Sequence, residues 1–292
     1  MISKCIIKGV DQLAALDLIY WTRSGAFASK IAYCDESSLS RRANHVLKTF
    51  GLSLDRNGYL INGDQNLLNL QRAVHQHARC RGDQPIRLDG THLIRHVLLE
   101  PGLPKGTILG PCDHVGFERI VQLLKDRVLD AWVTSNLFDL PDDEELQILH
   151  LWHWPALLAV HKCHPLAGRS DLMAEDLARF PSLILPHNLY PKLTEALHSL
   201  GFGRKTQMRR YDKGSWSSPS EDAMTIVYGS CLSLEAETDL VALDWDLGLV
   251  GGEALVFRRD ISHYPWFSSL LDDLKARQDE LVKRHPSLVP LL

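Results

Sequence analysis

The stretch DESSLSRRANHVLKTFGL, residues 35–52, decides the fold. Its apolar residues recur at helical spacing and define one face: Leu39, Ala43, Val46, Leu47 and Phe50. Another face carries small polar and basic residues: Ser38, Arg41, Arg42 and His45. Asp35 or Ser37 is placed to cap the start of this helix, and Gly51 stands at its end. Two interpretations are open: a solvated helix that carries two arginines, or a helix that enters DNA.

The flanking segments predict a small helical head. VDQLAALDLIYWTRS (10–24) carries one apolar stripe, and AFASKIAY (26–33) indicates a second, shorter helix. After Gly51, LSLDRNGYLING (52–63) has an Arg-Asn-Gly turn between apolar pairs, which is typical of a small hairpin or wing. This order suits a helix-turn-helix, in which the second helix presents small polar and basic side chains to bases and phosphates.

A long helical pattern, DQNLLNLQRAVHQHARC (64–80), follows the head and ends at the break RGDQP. From residue 86, short apolar runs alternate with helical patterns as far as the last helix, YPWFSSLLDDLKARQDELVKRH (264–285). This alternation predicts an α/β body with mostly parallel sheets. Within the body, LQILHLWHWPALLAVHK (146–162) predicts two strands broken at Pro155, and SEDAMTIVYGSCLSL (220–234) predicts a helix.

Charge is distributed unevenly along the chain. Residues 1–80 hold ten Lys/Arg and six Asp/Glu, a net of +4, and because the whole chain carries −4, residues 81–292 carry −8. A basic head on an acidic body is consistent with a nucleic-acid-binding domain. The six cysteines form no CxxC pair, and neither a signal peptide nor an apolar run of about 18 residues is found, so we expect a cytoplasmic protein with no membrane partner.

These features together resemble the LysR-type transcriptional regulators. LDLIYWTRSGAFASKIAYCDESSLSRRANHVLKTFGLSL (16–54) is similar to the family's first helix, Gly-Ser-Phe turn, Ser-x-x-x-Ser recognition segment and Leu-Gly stop. HKCHPLAGRSDLMAEDLARFPSLI (161–184) is similar to its His-Pro-Leu-Ala segment and the helix that follows. The chain departs from the family where LSLDR replaces Leu-Phe-x-Arg, and where VYGSCLSLEAETDLVAL (227–243) replaces a Gly-x-Gly-Ile turn.

The resemblance implies an α + α/β fold with a winged helix-turn-helix (1–63), a linker or dimerisation helix (64–84) and an effector-binding domain (85–292). This last domain would be two-lobed and periplasmic-binding-protein-like, with lobe I at 86–157 and 261–292 and lobe II at 158–260. The implied function is that of a transcriptional regulator, which is not an enzyme. Its implied partners are an inverted-repeat operator in double-stranded DNA, a small-molecule effector and further copies of itself, as a homodimer or homotetramer.

Two groups of site residues are expected. DNA-binding residues would lie in the head: Phe27, Ser37, Ser38, Ser40, Arg41, Arg42, His45, Arg56 and Asn57. Effector-binding residues would follow strands that border a cleft, as open α/β sheets favour: Thr91, His92, Thr134, Ser135, Pro186 and His187. Each hydroxyl has an alternative role as a helix cap or a strand-end hydrogen-bonding group. Because Thr91 opens a helix and helix N-termini favour anions, we expect an anionic effector.

Other classes of function fit the sequence less well. Histidines and a cysteine crowd residues 150–164, but His150 and His153 are expected on opposite faces of a strand, so neither a metal nor a cofactor is expected. The sequence contains no Gly-x-Ser-x-Gly elbow, P-loop or dinucleotide fingerprint, so no catalytic residues are expected. One alternative stays open: a regulator-like protein with a degenerate head, acting as a ligand-binding or protein-interaction module.

Overall fold

The computed structural model describes residues 11–55, 58–114, 117–182, 190–202 and 223–291. The head begins with three helices, α1 (Gln12–Thr22), α2 (Gly25–Ala32) and α3 (Glu36–Phe50). Two short antiparallel strands follow, β1 (Ser53–Leu54) and β2 (Leu60–Ile61), and then the long helix α4 (Gln65–Cys80). These elements match the predicted three helices, small hairpin and long helix.

Side-chain caps explain where the head helices begin and end. Asp11, Ser24 and Asp35 each accept a hydrogen bond from a backbone N–H in the first turn of α1, α2 and α3, respectively. Gly51 ends α3 in the left-handed region, at φ 65°, where a side chain would be strained. Helix α3 buries part of its predicted apolar face completely: Leu39, Ala43 and Val46.

In the ranges that the structure describes, the body contains two sheets. Its strands are, in chain order, β3 (Ile86–Gly90), β4 (Thr107–Leu109), β5 (Ala131–Thr134), β6 (Leu146–Pro155), β7 (Leu157–His161), β8 (Val227–Gly229), β9 (Leu240–Ala242), β10 (Val250–Arg258) and β11 (Val289–Pro290). One sheet has six strands in the order β11-β6-β10-β5-β3-β4, and the other has three in the order β8-β7-β9. Among the strands in the described ranges, only the β3–β4 and β3–β5 pairs are parallel, so for this part of the chain the expectation of mostly parallel sheets was wrong.

Helices connect these strands. They are α5 (His92–Ile94), which continues through a π-helical turn (Arg95–Leu99) into α6 (Glu100–Gly102), then α7 (Glu118–Lys125), α8 (Ala174–Ala178), α9 (Pro191–Ser199), α10 (Cys231–Ala236) and α11 (Pro265–Arg284). The helix predicted over 220–234 was wrong, because its described part is divided between β8 and α10. The division falls at Ser230, whose side chain caps α10 by accepting from the Ser233 N–H.

Strand β10 also differs from the expected division of the body. It was assigned to lobe II (158–260), but it pairs with β5 and β6 in the six-stranded sheet. The physical reason is its sequence: eight of its nine residues are buried, so it needs a neighbour on each side and a covered face on each surface of the sheet. The chain therefore leaves the six-stranded sheet after β6 and returns to it with β10.

The head and the body share one hydrophobic core. Helix α1 buries nine of its 11 residues, because it packs against α2 and α3 and also against body residues of α7 and the six-stranded sheet. Body residues in this shared core include Phe117, Ile120, Leu123, Trp132 and Val256. The predicted one-sided stripe of α1 is therefore only part of its buried surface. A second core fills the rest of the body around Trp152, Trp154, Phe257 and α11.

Candidate functional site

The polar face of α3 points away from the shared core. Its exposed members are Ser37, Ser40, Arg41 and His45, and its partly buried members are Ser38 and Arg42. Arg41 Nη2 donates to Ser38 Oγ at 2.9 Å, which holds the guanidinium over the first turn of the helix. The face therefore combines short hydroxyl side chains with long basic ones, as a helix that approaches a base edge requires.

Asp35 organises the start of α3. Its Oδ1 accepts from Ser37 Oγ at 2.6 Å and from the Ser38 N–H at 2.7 Å. These hydrogen bonds hold the pKa of Asp35 well below its ordinary value, so the carboxylate stays ionised at the helix N-terminus, where negative charge is favoured. The Ser37 hydroxyl therefore has a partner within the chain and takes part in the cap.

The other predicted head residues have varied positions. Phe27 is half-buried in α2, where its N–H donates to the cap residue Ser24. His45 borders an open groove of about 360 Å³ between α3 and α4, opposite His75. Arg56 and Asn57 lie outside the described residues.

Two of the predicted cleft residues, Thr91 and Ser135, meet at one edge of the six-stranded sheet. Thr91 follows the end of β3, Ser135 follows the end of β5, and their hydroxyl oxygens are 2.8 Å apart. His92 begins α5, and its ring lies 5.6 Å from that of His96. Thr134 is fully buried, and its Oγ1 accepts from the Asn136 N–H at 3.1 Å, so its hydroxyl holds a turn. The other two predicted residues, Pro186 and His187, lie outside the described residues.

Glu253 lies at the same edge and was missed by the sequence analysis. Strand β10 runs antiparallel to β5 with Ala254 opposite Thr134, which brings Glu253 beside Ser135. Glu253 is 1% exposed, and its Oε2 accepts from Trp154 Nε1 at 2.7 Å. Burial raises its pKa to about 8, although hydrogen bonds from Trp154, Trp152 and Ser135 lower it. The sequence signal that could have identified Glu253 was a single acidic residue near the start of an otherwise apolar strand.

Asp89 connects this edge to the head. It is fully buried on β3, and Trp21 of α1 donates its indole N–H to Asp89 Oδ2 at 2.7 Å. Burial raises the pKa of Asp89 to about 6. Gly110 makes the contact sterically feasible, since a Cβ there would lie 2.3 Å from Asp89 Oδ2 and 2.6 Å from Trp21. Trp21 of the head therefore contacts Asp89, which lies two residues before Thr91 in the sequence.

Buried ion pairs add to this junction. Arg72 of α4 and Arg87 of β3 both contact Asp17 of α1, at 2.8 Å and 3.2 Å. Arg79 of α4 donates two hydrogen bonds to Asp130, from Nε and from Nη2, each of 2.8 Å. Sequence patterns predict that charged residues such as these are exposed to solvent. The buried network was therefore not predicted from the sequence.

The histidine-rich segment, residues 150–164, differs from the prediction made for it. The rings of His150 and His153 lie 5.8 Å apart, so the prediction that they occupy opposite faces of the strand was wrong. A register shift between β10 and β6 adds one residue, Leu151, to the β6 side, and this reverses the alternation of side chains. Within the ranges that the structure describes, no cluster of three or more His, Cys, Asp or Glu side chains is arranged to hold a metal ion.

Comparisons with known proteins agree with this architecture. Residues 114–211 match the family model for the LysR substrate binding domain. By sequence, the chain matches no curated protein. In the parts of the chain that the structure describes, there is no helix of the length and apolarity that a membrane crossing requires.

Three solved structures share the fold over head, α4 and body. A cysteine-to-aspartate variant of full-length OxyR from Pseudomonas aeruginosa has a TM-score of 0.56 at 12% identity, covering 90% of this chain and 93% of that one. A cysteine mutant of OxyR from Corynebacterium glutamicum has 0.54 at 16%, covering 94% and 92%. Full-length CbnR with its target DNA has 0.54 at 12%, covering 91% and 98%. Residues 114–211 are therefore similar to a LysR substrate binding domain, and the chain has the fold of these full-length regulators, in agreement with the resemblance found in its sequence.

Proposed function

We propose that the chain is a sequence-specific DNA-binding transcriptional regulator controlled by a small molecule in the body. The observation that carries the proposal is the exposed serine and arginine face of α3, the second helix of a helix-turn-helix. In support, the fold is shared with CbnR, a regulator whose structure includes its target DNA.

The chemistry of the face suits DNA. The Arg41 and Arg42 guanidinium groups are able to bind a guanine edge bidentately or to contact phosphates, and Ser40 is short enough to allow close approach. The net charge of +4 in residues 1–80 attracts the phosphate backbone, and the −8 of the remainder keeps the body off DNA. Arg56 and Asn57 would add contacts from the wing.

Self-association would follow from the exposed apolar stripe on α4. Leu67, Leu70 and Val74 recur over successive turns and are 53%, 67% and 68% exposed. Such a stripe favours a partner helix over water, and a second copy of α4 supplies one. A homodimer of this kind carries two heads about a two-fold axis, which fits an inverted-repeat operator. Pairing through the bodies as well would give a homotetramer.

Control would come from a ligand between the two sheets. Thr91, His92 and Ser135 border the cleft edge of the six-stranded sheet, and α10, which follows β8, contacts α5 from the other sheet. A ligand that prefers one arrangement of the sheets shifts the populations of the arrangements. Because Asp89 lies next to this edge and binds Trp21, such a shift reaches the head directly.

The test is salt-dependent binding of the purified chain to a library of genomic DNA fragments. We expect tight binding to a few fragments that share an inverted repeat, with affinity falling steeply as salt rises. Arg41→Ala with Arg42→Ala should weaken binding by about tenfold or more, because base and phosphate contacts are lost. The charge-matched control is Arg179→Ala with Lys192→Ala, two exposed residues of the body, and it should bind as the unaltered chain does.

Weak, sequence-indifferent binding that the Arg41 and Arg42 changes leave unaltered would contradict the proposal. The degenerate-head alternative would then stand, with the body acting as a ligand-binding or protein-interaction module. Tight binding that both double variants weaken equally would also contradict it, since α3 would have no special role.

A further inference from the structure

Arg119 of α7 is a buried arginine that lies against two aromatic rings of the head. Its guanidinium carbon is 4.0 Å from the ring centroid of Tyr20 on α1 and 4.7 Å from that of Tyr59. The residue is 5% exposed. Its Nη2 donates to the Tyr20 carbonyl oxygen, whereas its Nε and Nη1 have no hydrogen-bond partner. Among the described residues, no aspartate or glutamate forms an ion pair with Arg119.

Buried arginines elsewhere at the junction are held by carboxylates. Arg79, for example, donates two hydrogen bonds to the buried Asp130. A buried cation without a carboxylate is unfavourable unless its surroundings offset the lost hydration. For Arg119 this offset comes from the two ring faces, which attract a guanidinium group most strongly away from water. The position of Arg119 and the position of Tyr59 therefore depend on each other.

Tyr59 closes the turn of the wing, the hairpin of β1 and β2. Its N–H donates to Asp55 Oδ1 at 2.8 Å, and its carbonyl oxygen accepts from the Asp55 N–H at 2.9 Å. Arg56 and Asn57, two of the predicted DNA-binding residues, follow Asp55 directly in the sequence. The contact with Arg119 therefore reaches the part of the wing that is predicted to meet DNA.

Further cation–ring contacts extend from both sides of Arg119. The guanidinium carbon of Arg72 on α4 lies 5.4 Å from the Tyr20 ring centroid. That of Arg23, at the end of α1, lies 6.0 Å from the Tyr59 ring centroid. Guanidinium groups and rings thus alternate from α4 to the wing, in the order Arg72, Tyr20, Arg119, Tyr59, Arg23. Arg119 is the member of this series that the body supplies.

We propose that Arg119 is a positioning residue for DNA binding, which holds the wing through the ring of Tyr59 and lets the body determine how the wing meets DNA. The proposal rests on the proposed function, because it concerns the same head and its operator. Arg119 is too deeply buried to contact DNA itself, so its effect passes through Tyr59. Helix α7 packs against β10 of the six-stranded sheet, so a change in the body that shifts α7 would shift Arg119 and the wing with it.

The first test examines the wing without DNA, by hydrogen–deuterium exchange of the full-length chain and mass spectrometry of its peptides. Arg119→Met keeps a long side chain and removes the guanidinium group. We expect amide exchange in the wing (52–63) to become faster by about tenfold, because the wing loses a water-shielded cation–ring contact. Exchange in α3 should stay the same. Unchanged exchange in the wing would overturn the proposal.

Two further variants separate positioning from a general loss of structure. Arg119→Lys keeps a cation at the rings, so exchange in the wing should return partway to that of the unaltered chain. Ile120→Val shortens the next residue of α7, which is buried in the shared core, and should leave wing exchange within about twofold. Equally fast exchange in Ile120→Val and Arg119→Met would overturn the proposal, and so would no recovery with lysine. Circular dichroism checks the fold of each variant.

The second test measures affinity for a selected DNA fragment by fluorescence anisotropy. Arg119→Met and Tyr59→Leu should each weaken binding by about threefold to tenfold, because a loosened wing must be ordered again on DNA. Their combination should bind about as weakly as Tyr59→Leu alone, since both changes remove the same contact. Additive losses would overturn the proposal, and so would unaltered affinity in a variant whose wing exchanges faster.

Together the two tests distinguish failure of this inference from failure of the proposed function. A chain that binds no DNA specifically would contradict the regulator and the DNA role of Arg119, while the exchange experiment would still show whether Arg119 holds the wing. Specific DNA binding that Arg119→Met leaves unaltered would support the regulator and overturn this inference.

Discussion

Individual buried polar residues determine how the head sits on the body. Trp21 donates to Asp89 across the junction, and Asp17 holds Arg72 and Arg87 from two different elements. Each of these groups is shielded from water, so its partner is needed to offset the loss of hydration. Hydrophobic contacts alone would allow the head to slide, whereas these pairs specify one orientation.

Asp17→Asn tests this role. The change leaves two buried guanidinium groups without their shared carboxylate, and we expect the free energy of unfolding to fall by about 3–5 kcal/mol. Urea denaturation followed by tryptophan fluorescence measures the change. The control is Asp244→Asn, an exposed residue, for which we expect a change within about 0.5 kcal/mol. Similar stabilities for the two variants would argue against a structural role for the network.

Glu253 should make stability depend on pH. Its folded-state pKa of about 8 lies above the ordinary 4.5, so the folded state binds the proton more tightly than the unfolded state does. The resulting stabilisation is complete below pH 4.5 and is lost as pH rises through 8, by up to about 1.4 kcal/mol per pH unit. Asp89, with a pKa of about 6 against 3.8, acts in the same direction at lower pH.

Glu253→Gln isolates this contribution. Between pH 6.5 and pH 8, above the range of Asp89, the variant should have a flatter dependence of unfolding free energy on pH than the unaltered chain. Denaturation at several pH values gives both curves. Parallel curves over this range would mean that Glu253 does not change its protonation on unfolding.

Among the elements, those defined by local signals were predictable. The start of α3 at Asp35, its end at Gly51, and the strands broken at Pro155 follow from capping and turn residues close in sequence. Elements that depend on distant partners were not. The irregularity that brings His150 and His153 together arises from pairing with β10, about 100 residues further on, and no periodicity within β6 reveals it.

The exposed apolar stripe on α4 predicts that copies of the chain associate through this helix. Leu70→Glu with Val74→Glu introduces charges on an exposed face, so the fold should persist while the apolar surface for a partner helix is lost. Sedimentation velocity should change from a dimer or tetramer to a smaller species. Met173→Glu, another exposed apolar residue outside α4, is the control and should keep the original assembly. An unchanged assembly in the α4 variant would mean that the copies associate elsewhere.

At the scale of the whole molecule, head and body form one packed unit. The order of head, linker helix and body was predictable, because each has its own periodicity and charge. The docking of α1 on the body was not, because an apolar residue in a sequence does not identify its partner. The exposed polar face of α3 was therefore predictable from residues 35–52. At the edge of the six-stranded sheet, the sequence predicted the neighbouring positions of Thr91 and Ser135, but not the buried acids Glu253 and Asp89 beside them.

The most direct test of the account is a hydroxyl-radical footprint of the full-length chain on a DNA fragment selected by binding. We expect two protected half-sites related by two-fold symmetry, with centres separated by a whole number of helical turns, roughly 10–10.5 base pairs each. Protection should disappear from both half-sites in the Arg41→Ala, Arg42→Ala variant. A single unsymmetrical patch, or protection that persists in that variant, would contradict the claim that α3 of each copy enters the DNA.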